Sequence, residues 1–154
     1  MSKWKRAVAA LSLGLLLATP ALADSAEEIM AIAKAQWAAE NQNRAAAEAW
    51  TSIADDYTEF NPVMPTLVEG KAQAARFYEA SLDSGDQSLA SEMLNPHVQF
   101  YGDTAILTYN YGGLTRSKDG KTTPNLAKST RVYVKQKGKW MLVHANFAPV
   151  VVQQ

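Results

Sequence analysis

A histidine lies within an otherwise apolar segment near the end of the chain, KWMLVHANFA at residues 139–148. If this segment is a β-strand, successive side chains point to opposite faces. One face then carries Trp140, Leu142, His144 and Asn146, and the other carries Met141, Val143, Ala145 and Phe147. The His144 imidazole has an ordinary pKa of about 6.5, so it can act as a general acid or base. The alternative is a structural histidine that is hydrogen-bonded to the backbone or to a neighbouring hydroxyl group.

Arg131 is a second residue that can do chemistry, and it lies in the apolar strand just before this segment. Alternation places Arg131 and Tyr133 on one face of that strand, and Tyr109 and Tyr111 on one face of the preceding strand. A guanidinium group beside aromatic walls suits a small organic anion, because its planar fork forms two hydrogen bonds to a carboxylate. The alternative for a buried arginine is an ion pair, for which the candidate partners are Glu69, Glu79 and Glu92.

The composition excludes several kinds of site. The 154-residue chain has no cysteine and only two histidines, His97 and His144. No thiolate is present and the histidine spacing fits no metal-binding motif, so we expect no metal site and no cofactor. Charges of both signs are interspersed without a basic block, which argues against nucleic acid as a partner.

The first 23 residues have the pattern of a secretory signal peptide, with a basic start, an apolar run at residues 7–18, and small residues at Ala21 and Ala23. The apolar run is too short for a typical membrane span, although an uncleaved anchor is the alternative. Cleavage after Ala23 leaves one domain, residues 24–154, which we expect in the periplasm or the medium without a membrane anchor. Because 12 of the 15 basic and all 15 acidic residues lie in this mature chain, its net charge is 12 − 15 = −3.

Local patterns predict three helices and then a series of strands. Helical spacing of apolar residues predicts helices over residues 25–41, 44–54 and 71–84, the first capped by Ser25. A short strand leads into a turn at Pro62, and Asp55 and Asp56 are interpreted as solvated turn residues. Long strands are predicted over 88–101, with Pro96 at a bulge or edge, and over 105–116, 126–136 and 139–150. This order is typical of an α+β fold in which helices pack on one face of a curved antiparallel sheet.

The helices can cover only one face of such a sheet. Val132 and Val134 alternate with Arg131 and therefore point to the uncovered face. A bare apolar sheet face is larger than the apolar patches that a monomer usually exposes. We therefore expect a second copy of the chain to pack against it, sheet to sheet.

Three stretches of the chain carry a recognisable pattern: TEFNP with the following LVEGKAQAARFY, then EMLNPHVQFYGDTAILTY, and finally STRVYVKQKGKWMLVHANF. In these stretches the chain resembles the association (hub) domain of calcium/calmodulin-dependent protein kinase II. The resemblance covers residues 43–148 and implies a nuclear-transport-factor-like cone, in which three N-terminal helices close a strongly curved antiparallel sheet around a pocket. It also implies a homodimer or a larger ring formed through the sheet. We expect no kinase activity, because neither a Gly-rich phosphate loop nor a His-Arg-Asp motif is present.

The resemblance further implies a pocket in which arginines bind small carboxylates. Arg131 keeps an arginine of the family, whereas Tyr111 and Phe147 stand near the positions of two others, so we expect a less basic and more aromatic pocket. The expected ligand-binding residues are Arg131, Tyr111, Tyr109, Tyr133, His144, Asn61 and Trp37. The predicted protein is thus exported and self-associating, with a pocket for a small organic anion.

A small-molecule enzyme of polyketide-cyclase-like or ketosteroid-isomerase-like type is the alternative. The stretch ADDYTEFNP resembles ADDATVEDP of ketosteroid isomerases, in which the aspartate before proline is the general base. Asn61 occupies the position of this aspartate, and an amide is not basic. Trp37 occupies a position near that of the isomerases' oxyanion-hole tyrosine. Both the general base and the oxyanion-hole tyrosine of the isomerases are missing, so we favour a binding protein over an enzyme. If the protein is a lyase, isomerase or hydrolase, its candidate catalytic residues are His144, Tyr111 and Asp55.

Overall fold

The computed structural model describes residues 25–150, which form three helices and six strands. The helices are α1 (Ala26–Glu40), α2 (Ala46–Ala49) and α3 (Lys71–Leu82). The strands are β1 (Ile53–Phe60), β2 (Val68–Glu69), β3 (Gln87–Tyr101), β4 (Thr104–Arg116), β5 (Thr122–Gln136) and β6 (Lys139–Pro149). The predicted signal peptide and its cleavage site lie outside the described residues.

Helix α1 begins as the sequence predicts. The Ser25 side-chain oxygen accepts a hydrogen bond from the backbone N–H of Glu28 at 3.1 Å, which satisfies one of the unpaired donors of the first turn. The helix buries Ile29, Ala33 and Trp37, one residue per turn, so the helix reaches the sheet through a single stripe. The polar face of α1 remains in solvent.

The second predicted helix is wrong over most of its length. α2 has four residues, and Ile53 and Ala54 belong instead to β1. Ile53 pairs with Leu142 of β6, so a distant strand overrides the local helical preference of this alanine-rich segment. Asp55 and Asp56 are therefore exposed strand residues rather than turn residues.

The six strands form one sheet in the order β2-β1-β6-β5-β4-β3. Neighbouring strands are antiparallel except β1 and β6, which are parallel. This pair is the one parallel pair among the described strands; it arises because the chain passes through α3 and three further strands before β6 returns beside β1. The predicted α+β class is confirmed, with helices packed against a curled, largely antiparallel sheet.

Pro96 lies in an edge strand and also at an irregularity. β3 is the last strand of the sheet, and its register with β4 shifts between Leu94 and His97. Asn95 there has a φ of 49°, in the left-handed region. Proline lacks the N–H that a regular inner strand would need, so both features predicted for Pro96 occur together.

A β-bulge in β6 decides which of its side chains face the helices. Val132 of β5 pairs with His144, but the next residue, Tyr133, pairs with Leu142, so Val143 is an extra residue. The alternation shifts at this point, and the expected face shared by Leu142 and His144 does not exist. The buried residues of β6 are Trp140, Leu142 and Ala145.

The core lies between the helices and the inner face of the sheet. Its largest completely buried side chains are Tyr133, Ile29, Leu107, Leu142 and Val68. The outer face carries half-buried apolar side chains on three adjacent strands, namely Ile106, Val132, Val134 and Met141. Over residues 25–150, no helix is long and apolar enough to cross a membrane.

Candidate functional site

A cavity of about 410 Å³ lies between the helices and the inner face of the sheet. Residues of α1 and α3 line one side, and residues of β1, β4, β5 and β6 line the other. Eight aromatic side chains contribute to its surface: Trp37, Trp50, Tyr57, Phe77, Tyr78, Tyr109, Tyr111 and Phe147. Its volume is in the range of about 300–1,000 Å³ that is typical of small-molecule sites.

Arg131 lies in the wall of this cavity and is almost completely buried, with 2% of its surface exposed. Its Nε donates a hydrogen bond to the Tyr109 hydroxyl at 3.0 Å, and its Nη1 donates to Gln36 Oε1 at 2.8 Å. The guanidinium carbon lies 5.7 Å from the ring centres of both Trp37 and Phe147. Strand alternation brings the arginine to the inner face, as the sequence predicts.

The guanidinium group of Arg131 remains charged in this environment. Burial acts to lower its pKa, but Tyr133, Tyr109 and the Glu40 carboxylate more than offset that effect, so the pKa lies above its ordinary value. The structural ion pair considered from the sequence is not formed: the candidate partners Glu69, Glu79 and Glu92 are exposed. Two neutral groups hold the arginine instead.

Tyr109 and Tyr111 both reach the cavity from one face of β4. Their rings lie 5.5 Å and 5.4 Å from the Trp37 ring, so the three aromatic groups form one surface. The Tyr111 hydroxyl lies 3.0 Å from Ser91 Oγ, on β3. Trp37, predicted as a binding residue from its position on the first helix, is thus a cavity residue beside both tyrosines.

Glu40 brings a carboxylate to the cavity from the end of α1. Its Oε1 accepts hydrogen bonds from Gln36 Nε2 and Trp50 Nε1, each at 2.7 Å. Gln36 therefore connects Arg131 to Glu40 through a single amide group, whose oxygen accepts from one and whose nitrogen donates to the other. The amide separates the two opposite charges while it orients both.

Glu59 supplies a second carboxylate from β1. The Tyr57 hydroxyl donates to its Oε2 at 2.7 Å, and Asn61 Nδ2 donates to its Oε1 at 3.0 Å. Burial, followed by the charge and hydrogen bond of Glu59, raises the pKa of Tyr57, so the phenol is neutral and remains a donor. Asn61, predicted as a binding residue, is thus a cavity residue whose amide orients Glu59.

The sequence reasoning missed both glutamates. Glu59 lies between Tyr57 and Asn61 at strand spacing, so the three side chains share one face, which is a signal that the sequence contains. Glu40 follows Gln36 by four residues on α1 and therefore lies on the same helical face. Neither the strand spacing of Glu59 nor the helical spacing of Glu40 indicates a site until α1, β1 and β5 are known to line the same cavity.

Three residues proposed from the sequence are not brought into the cavity. Tyr133 is completely buried in the core, where the charge of Arg131 acts on its hydroxyl group. His144 lies on the outer face because of the β6 bulge, where its Nδ1 is 2.9 Å from Thr58 Oγ1. Asp55 is an exposed residue of β1 outside the cavity lining. A structural histidine, hydrogen-bonded to a neighbouring hydroxyl group, is the alternative to a catalytic one in the sequence analysis, and the contact with Thr58 is of that kind.

Ser129 is a further cavity residue that the sequence did not indicate. It pairs with Tyr109 across β4 and β5, is 4% exposed, and lines the cavity. Its hydroxyl makes no hydrogen bond to the described part of the protein. Within the same part of the chain, no three acidic or imidazole side chains are grouped as metal ligands.

Comparison with known proteins extends these observations. The chain is 36% identical to calcium/calmodulin-dependent protein kinase type II subunit delta of Oryctolagus cuniculus in an alignment 101 residues long that covers 63% of this chain. The aligned part is 19% of that relative's length. The calcium/calmodulin-dependent protein kinase II hub of S. rosetta aligns at 25% identity with a TM-score of 0.68, covering 83% of this chain and 98% of the hub.

A ketosteroid isomerase-like protein of Erwinia carotovora atroseptica has a TM-score of 0.68 at 22% identity, covering 82% of this chain and 96% of that protein. This likeness shows a shared fold, which is the nuclear-transport-factor-like fold. The sequence model of the calcium/calmodulin dependent protein kinase II association domain matches residues 25–149. The chain therefore belongs to the family of calcium/calmodulin dependent protein kinase II association domains.

Proposed function

We propose that the protein is an exported, self-associating member of this family that binds a small organic anion at Arg131. One observation carries the ligand: a buried guanidinium group lines the cavity, and its Nε and Nη1 donate to the neutral side chains of Tyr109 and Gln36, so no carboxylate of the described residues pairs with its charge. A guanidinium group has five N–H donors, so N–H groups that these two bonds do not use can bind a carboxylate.

The surroundings of Arg131 suit a short carbon chain attached to that carboxylate. Trp37 and Phe147 lie against the guanidinium group, so a ligand bound there places its apolar part against aromatic rings. A hydrogen bond to a charged group contributes about 1.5–3 kcal/mol. With modest apolar burial in addition, we expect dissociation constants between about 1 μM and 1 mM.

Self-association is supported by a different surface. Ile106, Val132, Val134 and Met141 give the outer face of the sheet an apolar centre without a covering helix among the described elements. Membership of the association-domain family supports the same interpretation. Export is supported by the basic start, apolar run and small residues of the first 23 positions.

Isothermal titration calorimetry with straight-chain carboxylates of about two to six carbons tests the ligand proposal. The natural protein should bind at least one of them. Arg131→Lys should weaken binding about tenfold although the charge is kept, because the planar fork is lost. Arg76→Lys, on the exposed side of α3, is the matched control and should bind normally.

Two results would refute the ligand proposal. One is the absence of binding by the natural protein across the whole series and also by amino-substituted acids of the same lengths. The other is equal binding by Arg131→Lys and the natural protein. Thermal melts of each variant show whether a loss of binding reflects a loss of fold, which would instead assign Arg131 a structural role.

An enzyme is the second candidate, and Glu59 is the observation that favours it. Its carboxylate lines the cavity two residues before Asn61, and it can accept a proton where the amide cannot. Nuclear magnetic resonance in D₂O can follow exchange of the α-protons of small ketones. Exchange with the natural protein that Glu59→Gln abolishes would support catalysis, and equal exchange with both proteins would refute it.

A further inference from the structure

The cavity carries more negative than positive charge. Arg131, Glu40 and Glu59 are the charged residues of its described lining, so the formal charge at neutral pH is 1 − 2 = −1. A simple carboxylate ligand would bring this formal charge to −2, beside two carboxylates that are already half-buried. Like charges repel strongly where solvent screening is weak, so Arg131 alone does not explain how the whole site receives its ligand.

Each carboxylate is held by neutral donors. Glu40 is bonded to Gln36 and Trp50, and Glu59 is bonded to Tyr57 and Asn61. Both hydrogen bonds to Glu40 use Oε1, and Oε2 accepts none from the described residues. Both carboxylates are half-buried, and carboxylates partly withdrawn from water are commonly paired with a cation, which the described contacts do not supply here.

The positive and negative groups are close enough for one small molecule to reach both. Gln36 Oε1 accepts from Arg131 at 2.8 Å and Gln36 Nε2 donates to Glu40 at 2.7 Å, so one amide group separates them. Tyr57 is influenced by all three charges, since Glu59 and Glu40 raise its pKa and Arg131 lowers it, in addition to the effect of burial. The three charged groups therefore all act on the Tyr57 hydroxyl, and all three line the same cavity.

Ser129 independently indicates that a polar ligand atom belongs in this region. Its hydroxyl lies in the cavity lining beside Tyr109; it is almost fully buried and forms no hydrogen bond with any residue of 25–150. Buried hydroxyl groups are rarely left unpaired, and this one can accept from an ammonium group or donate to a carboxylate.

We infer that the ligand of this cavity is a zwitterion, with a carboxylate held by Arg131 and an ammonium group held by Glu40 and Glu59. The inference rests on the proposed anion site and adds the chemical class of the ligand. Binding such a molecule leaves the charge of the cavity unchanged and gives the two half-buried carboxylates a cation. Gln36 contributes by keeping Arg131 and Glu40 from pairing with each other, so both remain available.

Matched probes test the inference. The ligands are ω-amino carboxylic acids of about two to six carbons, each compared with the unsubstituted acid of the same length, titrated into the full-length protein at pH 7 and low salt. At least one amino acid should bind about tenfold more tightly than its unsubstituted partner. The series of lengths allows for the unknown span between the two charged groups.

Glu59→Gln and Glu40→Gln distinguish ligand binding from a structural role. Each variant brings the formal charge of the lining from −1 to 0. The amino acid should then bind about tenfold more weakly, whereas the unsubstituted acid should bind more tightly because repulsion is reduced. A merely structural glutamate would weaken both ligands together. Glu48→Gln, exposed on α2, is the control and should change neither affinity.

The outcomes separate this inference from the proposal beneath it. If unsubstituted acids bind as tightly as amino acids, or if both weaken equally in the glutamine variants, the zwitterion is refuted and the anion site stands. If neither series binds the natural protein, the anion site is refuted and the zwitterion with it. Thermal melts identify a variant that fails to fold, in which case the other glutamine variant decides.

Discussion

Replacing Tyr109 by phenylalanine removes one hydroxyl group from a buried cation and keeps the ring that packs against Trp37. Tyr109 is 5% exposed, and its hydroxyl accepts a hydrogen bond from Arg131 Nε at 3.0 Å. The variant leaves that N–H unpaired in the protein interior. Hydrogen bonds to charged groups contribute about 1.5–3 kcal/mol, so we expect the free energy of unfolding to fall by about 2 kcal/mol. For a domain of this size, the melting temperature should fall by roughly 8 °C.

Tyr111→Phe is the matched control, because it removes a hydroxyl from the same face of the same strand. That hydroxyl lies 3.0 Å from the neutral Ser91 Oγ, so we expect a loss of about 1 kcal/mol or less. Urea denaturation at one fixed protein concentration measures both values, since self-association makes stability depend on concentration. An equal or larger loss in Tyr111→Phe would refute the assignment of a charged, buried hydrogen bond to Tyr109.

Three other predictions concern assembly, export and pH. Val132→Asp should dissociate the oligomer, because an unpaired charge in an apolar interface costs several kcal/mol; light scattering measures the mass, and a monomeric natural protein would contradict this. N-terminal sequencing of the exported protein should begin at Asp24, and an intact Met1 in the cytosol would argue against cleavage. Folding raises the pKa of Tyr57, so its contribution to the free energy of unfolding should be complete below pH 10 and lost as the pH rises further. In urea denaturation at alkaline pH, the free energy of unfolding should therefore fall less steeply with pH for Tyr57→Phe than for the natural protein.

Three of the residues predicted for the pocket line the cavity because they lie in regular strands. Arg131, Tyr109 and Tyr111 lie where simple alternation places them, because β4 and β5 are in continuous register from Thr104 to Arg116. Resemblance to the association domain supplied the class of fold and the pocket. It did so through motifs that lie mostly in β1, α3 and the long strands.

The residues that were misplaced depend on features that local patterns do not contain. His144 follows a bulge whose position is set by the pairing of β5 with β6, so counting by twos from Trp140 gives the wrong face. Tyr133 shares the face of Arg131 but lies nearer the core, and alternation gives the face without the depth. Glu40 lies in α1 and Glu59 lies in β1, two elements that come together at the cavity only in the folded chain. The role of each carboxylate depends on the side chains that donate hydrogen bonds to it, and local sequence patterns do not reveal these.

At Val143, strand β6 can lose one residue without exchanging its two faces. In a regular strand, a one-residue deletion turns every later side chain to the opposite side of the sheet. Because Val143 is the extra residue, its deletion leaves Leu142 followed by His144 and Ala145, which keep their present inner and outer positions. What changes is the bend and twist that the bulge imposes on the strand. Chain length at this position can therefore alter the curvature of the sheet, and so the shape of the cavity, without replacing any residue that lines it.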